Sequence, residues 1–291
     1  MENLNFREID YQTDLSEVIS LIHKNLDSTY TLDFFKWKHL ENPFGKSYGL
    51  LALDGDKIIG LRMFMFWEFK TPNGKLKAIR PVDTVTDENY RGMGIFKKLT
   101  LDGLENISGE YDIVFNTPNN NSLPGYLKMG WRKMEKLDYF RVGLINPFAK
   151  STIFLSILID QINFKGEDSI SIGGTILSDE FLKWRYKEPV YQIADFSSEG
   201  NYVIYKKSKI NNIPSLIVYE IIGDPAQQRI MLISLAKKNK TPFIYYYGSD
   251  VKNGRFLKSF KRNGPVVVIK NDKYLIGDKL HFSLGDLEGK L

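Results

Sequence analysis

The sequence predicts an α/β fold, an α+β mixed sheet laid out twice in tandem. Three observations carry that reading. The apolar period switches from helical to alternating and back again between residues 14 and 142. Two turn signals, Asp54-Gly55-Asp56 and Asn73-Gly74, divide a long apolar stretch into three successive antiparallel strands. The second half then repeats features of the first in the same order. A chain of 291 residues is long for one domain and ordinary for two.

After a first strand, Asp14 to Leu26 is expected to be a helix, with Val18, Ile19, Ile22 and Leu26 on one face and Asp14 placed to cap it. A second helix is expected from Asp33 to Glu41, closed by Pro43. Strands follow over 48–53, 57–69 and 75–85, then a glycine-bearing loop and a helix over 93–107. A short buried strand over 111–116, a polar loop, a short helix around Tyr126 ended by Gly130, and a last strand over 131–142 complete the half.

Residues 146–168 are expected to be a linker carrying a helix over 153–162. Beyond it, Glu180-Phe181-Leu182-Lys183-Trp184-Arg185 echoes Asp33-Phe34-Phe35-Lys36-Trp37-Lys38, with Pro189 answering Pro43. Tyr219 to Asp224 matches Val82 to Asp87, placing Glu220 opposite Asp83, and Phe256-Leu257-Lys258 matches Tyr126-Leu127-Lys128. Strand 243–248 then stands for 111–116. The expected domains are 1–145, the linker, and 169–291.

Composition narrows the chemistry. With 43% hydrophobic and 26% charged residues the chain folds around real cores. Cysteine is absent, which removes disulfides, thiolate metal sites and an acyl-cysteine intermediate. The three histidines, His23, His39 and His281, fit no paired zinc spacing, so no metal is expected, and His23 and His39 read as surface or capping groups. The charge of +5 suits an anionic ligand better than duplex DNA, so no nucleic-acid partner is expected. The start Met1-Glu2-Asn3-Leu4-Asn5 lacks a basic and apolar leader, and the run 153–162 is too short to span a bilayer. A cytoplasmic protein without a membrane partner is expected.

The most informative stretch is Thr86-Asp87-Glu88-Asn89-Tyr90-Arg91-Gly92-Met93-Gly94-Ile95-Phe96, between a strand and a helix. Gly92 and Gly94 leave backbone N–H groups open where the helix begins, and Arg91 adds a charge. Taken alone, this is either a pyrophosphate site or an ordinary tight turn. It is neither a Walker loop nor a dinucleotide fingerprint. Downstream runs Asn119-x-x-Ser122-x-x-x-Tyr126-x-Lys128-x-Gly130-Trp131.

Arg91-x-x-Gly94 and this series together resemble the GNAT superfamily of acyl-CoA-dependent N-acyltransferases, across the whole N-terminal half. The departure is Phe96, where the family usually has a small residue. The resemblance implies acetyl-CoA as co-substrate and a small-molecule amine as acceptor. It implies that Arg91, Gly92, Met93, Gly94 and Ile95 hold the pyrophosphate. Val85 and Thr86 would pair with the pantetheine amides, and Asn119 and Ser122 would touch that arm from the other side. Tyr126 would protonate the departing thiolate; read without the resemblance, it is an amphipathic helix residue. Asp83, two residues before Val85 on the same strand face, is the candidate base or else a structural ion-pair partner. A backbone N–H near Thr84 or Val85 would polarise the thioester carbonyl. In the second half, Met231 falls opposite Gly94 and Gln228 opposite Arg91, so that half is expected to have no CoA loop and to wall the acceptor pocket. Competing functions are a Fem-like aminoacyl or peptidyl transferase and a non-catalytic acyl-CoA-binding module. The aromatic run 63–69 and Tyr245-Tyr246-Tyr247 read as buried strands, and Trp37 and Trp184 as core anchors.

Overall fold

Alternating apolar residues build two seven-stranded sheets in the computed structural model of the chain. The structure describes residues 4–72, 74–135, 137–164, 172–196, 200–248, 257–262, 264–271 and 280–287. The first half contributes β1 (Leu4–Glu8), α1 (Leu15–Asn25), α2 (Leu32–His39), β2 (Tyr48–Asp54), β3 (Lys57–Thr71) and β4 (Gly74–Thr86). It continues through α3 (Ile95–Asn106), β5 (Ile113–Asn116), α4 (Leu123–Lys128) and β6 (Arg132–Lys133). Then come β7 (Tyr139–Ile145), β8 (Leu155–Ile157), α5 (Asp179–Arg185), β9 (Gln192–Asp195), β10 (Tyr202–Ile210) and β11 (Ile213–Ile222). The chain closes with α6 (Gln228–Lys238), β12 (Phe243–Gly248), β13 (Leu257–Arg262), β14 (Val268–Lys270) and α7 (Leu284–Leu287).

Long apolar runs flanked by turns make β3 and β4 a 15- and a 13-residue hairpin, the spine of the first sheet. Its order is β1-β2-β3-β4-β5-β14-β6. Helix α1 covers one face through Val18, Leu21 and Ile22. Helix α3 covers the other through Ile95 and Leu99. Its Gly103 is required by close approach: a Cβ there would lie 2.3 Å from the Phe64 ring. The second sheet has the order β13-β7-β12-β11-β10-β9-β8. In both sheets three antiparallel strands are followed by a helix and a parallel fourth strand, β5 beside β4 and β12 beside β11.

The sheets do not divide the chain at residue 145. Strand β7 leaves the first half and pairs on both sides in the second sheet, with β12 and β13. Strand β14 returns to pair with β5 and β6. The single strand expected over 131–142 is therefore two, because β14 takes the place beside β5 and β6 is held only as a two-residue edge. The helix expected over 153–162 is β8 followed by one 3-10 turn, Ile159–Gln161. Its apolar residues do not share a buried face: Ile153, Leu155 and Leu158 are 66–88% exposed. Leu257–Lys258 begin β13 and belong to no helix, so the match to Leu127–Lys128 does not hold in structure. Phe256 and Asn73 lie outside the described residues.

One apolar core joins the halves, with Trp37, Trp67, Phe181, Trp184 and Phe282 in a single cluster. At its centre α2 and α5 meet face to face. Thr31 caps α2 by accepting from Phe34 N (3.0 Å), and Ser178 caps α5 by accepting from Phe181 N (3.1 Å). Trp37 Nε1 donates to the Trp184 carbonyl (2.7 Å), and Trp184 Nε1 donates to the Trp37 carbonyl (2.8 Å). The rings stack at 5.3 Å. The reciprocal pair satisfies four polar groups deep in an apolar interior, where an unpaired one costs about 1–3 kcal/mol.

A fragment ending at residue 145 lacks β14 and exposes its half of this core. We expect it to show no cooperative thermal transition by near-UV circular dichroism, whereas the full chain unfolds in one. A sharp transition of the fragment near the full chain's midpoint would contradict the strand exchange.

Candidate active site

Strands β4 and β5 pair in parallel at only two positions, Ala78 with Ile113 and Ile79 with Val114, and then separate. A bulge drives the separation. Met63 pairs with Val82 and Leu61 with Val85, so β4 carries one extra residue, and Asp83 and Thr84 have no register partner on β3. Asp83 absorbs the distortion with φ of +43°, left-handed backbone that aspartate tolerates better than most residues. The bulge also breaks the alternation that would place Asp83 and Val85 on one face; Val82 and Val85 both join the core instead. Beyond the opening lies a cleft of about 910 Å³ between the two halves, lined by β4, α2, the β5–α4 loop and, midway along β10, Lys206.

On one wall the Asp83 carboxylate is enclosed by α2 and its approach. Lys38 Nζ donates to Oδ1 (2.8 Å), His39 Nε2 to Oδ2 (2.8 Å), and the Tyr30 hydroxyl also to Oδ2. Burial alone would raise the Asp83 pKa, but Lys38 and His39 outweigh it and hold the carboxyl well below the usual range. Burial lowers the His39 pKa, so its ring is neutral; Nε2 carries the proton given to Asp83, and Nδ1 accepts from Ser47 Oγ (3.0 Å). Burial also lowers the Lys38 pKa, more than Asp83 restores it. These contacts favour the ion-pair reading of Asp83 over the base reading, and they correct the expectation for His39. Asp83 is a spent anion with three donors on it, a poor proton acceptor. His39 is fully buried, not a surface group.

On the facing wall α4 presents Tyr126, 2% exposed. Its hydroxyl accepts from Arg62 Nη2 (2.5 Å) and from Asn116 Nδ2 (2.6 Å). With two donors on the oxygen, its own hydrogen is left to give. Arg62 lies among the Phe64, Phe96 and Tyr126 rings, 5.4–5.9 Å from their centroids. Phe96 stands edge-on to Tyr126 at 5.7 Å, which explains the departure from a small residue: it floors the cleft. Asn119 Oδ1 accepts from Ser122 N (2.9 Å) and Ser122 Oγ (3.1 Å), fixing the loop that enters α4.

Asp83, Asn119, Ser122 and Tyr126 thus share one cleft, while Arg91 to Ile95 lie around the far end of β4, at the head of α3. Val85 is buried, and Thr86 ends β4. Gly92 and Gly94 take φ of +82° and +78°, with open space where a Cβ would stand. Gly94 is the N-cap, and no acid sits in the first turn of α3. Sequence reading missed Lys38, His39, Arg62, Asn116, Arg80 and Arg185. The signal was partly there: Arg62 and Arg80 interrupt the apolar runs 58–67 and 78–82.

The second sheet opens differently. The N-cap of α6 is Gln227, so it stands where Gly94 stands. Met231 lies a turn further in and is buried in the core under α6, which corrects its expected place over the loop. The cavity beside β11, about 180 Å³, contains Glu220, Ser283 and Asp286. Glu220 Oε1 accepts from Tyr186 and Ser283 hydroxyls, both at 2.6 Å. Burial, reinforced by Asp286, pushes Glu220 up to about 8. Helix α7 hands its carbonyls to the main cleft: Asp286 O accepts from Arg80 Nη1 (2.6 Å), and Gly285 O accepts from Arg185 Nε and Nη2 (3.2 and 2.9 Å).

The family model of the acetyltransferase (GNAT) domain matches residues 6–134. A curated protein of Amsacta moorei entomopoxvirus, with the provisional name glycylpeptide N-tetradecanoyltransferase, is 26% identical over 175 residues. The match covers 56% of this chain and 57% of that protein. Among solved structures, a GCN5-related N-acetyltransferase from Anabaena variabilis superposes with a TM-score of 0.68 at 10% identity, covering 93% of this chain and 74% of that one. One from Kribbella flavida gives 0.66 at 13%, covering 92% and 71%. Eis1 of Mycobacterium abscessus gives 0.65 at 10%, covering 92% and 73%. At these identities the likeness is one of fold.

Glu220 yields a stability prediction. Its folded pKa is raised, so between about 4.5 and 8 the folded state keeps a proton that the unfolded state gives up, and stability falls as pH rises through that window. The slope is at most about 1.4 kcal/mol per pH unit. Glu220→Gln keeps the acceptor oxygen and removes the titration. Its melting temperature relative to wild type should climb from pH 5 to pH 8; a constant difference would refute the shift.

Proposed function

Because residues 6–134 match the family model of the acetyltransferase (GNAT) domain, we propose that the chain transfers an acyl group, acetyl in our reading, from coenzyme A to a primary amine by direct attack. The observation that carries this is the opening between β4 and β5 with a proton-donating hydroxyl in it. Tyr126 holds its oxygen against two donors and has its hydrogen free for the departing thiolate. The glycine turn heading α3 offers open N–H groups to the pyrophosphate. The buried Arg62 guanidinium at the cleft floor favours a short acyl group over a long alkyl chain, which would have to desolvate it. The poxvirus relative's name supplies the alternative donor, a tetradecanoyl thioester. We read the second half as a degenerate copy of the first that has no CoA loop and serves as a wall of the acceptor cleft.

In the reaction the amine nitrogen forms a bond to the thioester carbonyl carbon. A backbone N–H released by the bulge near Thr84 or Val85 polarises the carbonyl oxygen. The carbon–sulfur bond breaks, and the thiolate takes the Tyr126 proton. Lys38, its ammonium destabilised by burial, takes the proton that the amine must lose and passes it to solvent. Asp83 acts through Lys38 as a positioning residue.

Thiol release from acetyl-CoA, compared with longer acyl-CoA donors across a panel of amines, tests the activity; no thiol release with any donor would overturn it. For the donor site, Gly94→Val forces a β-branched residue into left-handed backbone and covers the N–H groups, so CoA binding should vanish. Arg91→Ala should weaken it by about 1–3 kcal/mol. Calorimetry with unchanged affinity in both would place CoA elsewhere.

For the chemistry, Tyr126→Phe should cut kcat by about 10²–10⁴-fold while CoA affinity holds. Asp83→Asn discriminates the two bases. Asp83 raises the Lys38 pKa, so its removal should move the alkaline rise in kcat/KM to lower pH without abolishing it. A rate that no longer rises with pH would make Asp83 the base after all.

A further inference from the structure

At one end of the second sheet the last turn of α6, the start of β12, the tip of the β10–β11 hairpin and the chain leaving β7 meet. Ile145 N donates to the Pro242 carbonyl (3.0 Å), and Thr152 N donates to Ser234 Oγ (2.8 Å). Lys237 Nζ donates to the Ala149 carbonyl (2.6 Å), and the neighbouring Lys238 holds its ammonium 4.1 Å from the Phe154 ring centroid. The Thr241 hydroxyl donates to the Pro214 carbonyl, and Ser215 pairs with Phe243. These contacts gather residues 144–156, 207–216 and 235–243, far apart in the chain, onto one end of the sheet.

The three segments carry Lys150, Lys207, Lys209, Lys237, Lys238 and Lys240, all exposed, and contain no aspartate or glutamate. Asp195, opposite Leu155 on β9, and Asp160, beyond β8, stand at the margin. Among the lysines apolar side chains reach into solvent. Phe148 is 90% and Ile153 88% exposed, and Ile213 at the hairpin tip is exposed as well. Phe148 directly precedes Ala149 and Ile153 directly precedes Phe154, and both followers are buried in the core under α6. The two apolar side chains are thus held outward by anchored backbone. Single surface hydrophobics are ordinary, but these are grouped, protruding and set in charge of one sign.

We propose that this surface docks the protein on an anionic lipid bilayer, with the lysines against the headgroup phosphates and Phe148 and Ile153 inserted at the acyl boundary. Basic charge draws the surface to the membrane, and burial of the apolar side chains retains it there. A second copy fits less well, because a two-fold contact would set the six lysines against six more. Duplex nucleic acid would answer the lysines and leave the apolar side chains in water. The inference goes beyond the acyltransferase reading and does not depend on it, since none of these residues lines the cleft. It departs from the expectation of no membrane partner, which rested on the lack of a spanning run. A surface assembled from three separated segments leaves no such run in the sequence.

The test is flotation of the full chain with vesicles of phosphatidylcholine alone and of phosphatidylcholine with about 30% phosphatidylglycerol. We expect the chain to float with the anionic vesicles and to stay behind with the neutral ones. Lys150→Glu combined with Lys209→Glu, and separately Phe148→Ser combined with Ile153→Ser, should each weaken partitioning about tenfold or more. An unchanged melting temperature checks that both double variants fold. The four native tryptophans are buried, so in Phe148→Trp a blue shift of emission on adding anionic vesicles reports insertion at that position. Absent flotation with anionic vesicles, equal flotation with neutral ones, flotation untouched by both double variants, or an unshifted Phe148→Trp spectrum would overturn the proposal. So would light scattering that finds a wild-type dimer which Phe148→Ser with Ile153→Ser makes monomeric, together with no vesicle binding.

Discussion

Two parallel strands that touch at two residues and then part create the cleft on which the rest of the site depends. Parallel pairing would continue along β4 and β5 if β4 stayed regular. The extra residue at Asp83 prevents it, and left-handed backbone at a non-glycine residue persists only where its surroundings over-determine it. Here they do. Lys38, His39 and Tyr30 close on the Asp83 carboxylate, so the strained backbone, the anion and the α2 helix are fixed together. The group that holds the cleft open is for the same reason unsuited to take a proton. Lys38 is the cation that the arrangement leaves only partly compensated, since burial lowers its pKa more than Asp83 restores it.

The second constraint is the exchange of strands. Each sheet is completed by a strand from the other half of the sequence, and the apolar core runs through both. The reciprocal tryptophan pair lies where α2 and α5 meet, immediately before Lys38 on one helix and Arg185 on the other. Packing of the halves therefore sets the positions of the residues that line the cleft. Helix α7 extends this coupling, since its carbonyls support Arg80 and Arg185 while its Asp286 shares a buried cavity with Glu220.

Local patterns told most of the first half in advance. The helices α1 to α3, the hairpin of β3 and β4, the glycine turn and Tyr126 were legible because each is written in a short window: a 3.6-residue or two-residue period, a turn dipeptide, a glycine before a helix. The same window failed at 153–162, where apolar spacing suggested a helix but no core lay beneath it. It failed at Met231 too, because counting residues across a shorter loop misplaced the start of α6 by one turn. Asp83 was found with its role left between base and ion-pair partner, since nothing in its own neighbourhood names the three donors that reach it from residues 30–39.

By itself the sequence determined most of the elements, the family resemblance and the glycine turn ahead of α3, because backbone conformation and glycine freedom are local properties. Tertiary structure alone decided which strands share a sheet, that α2 brings Lys38 and His39 onto Asp83, and that six arginine and lysine residues from distant segments line one cleft. Those facts depend on contacts between residues far apart in the chain, and charge, burial and proton affinity at the site follow from such contacts rather than from residue type.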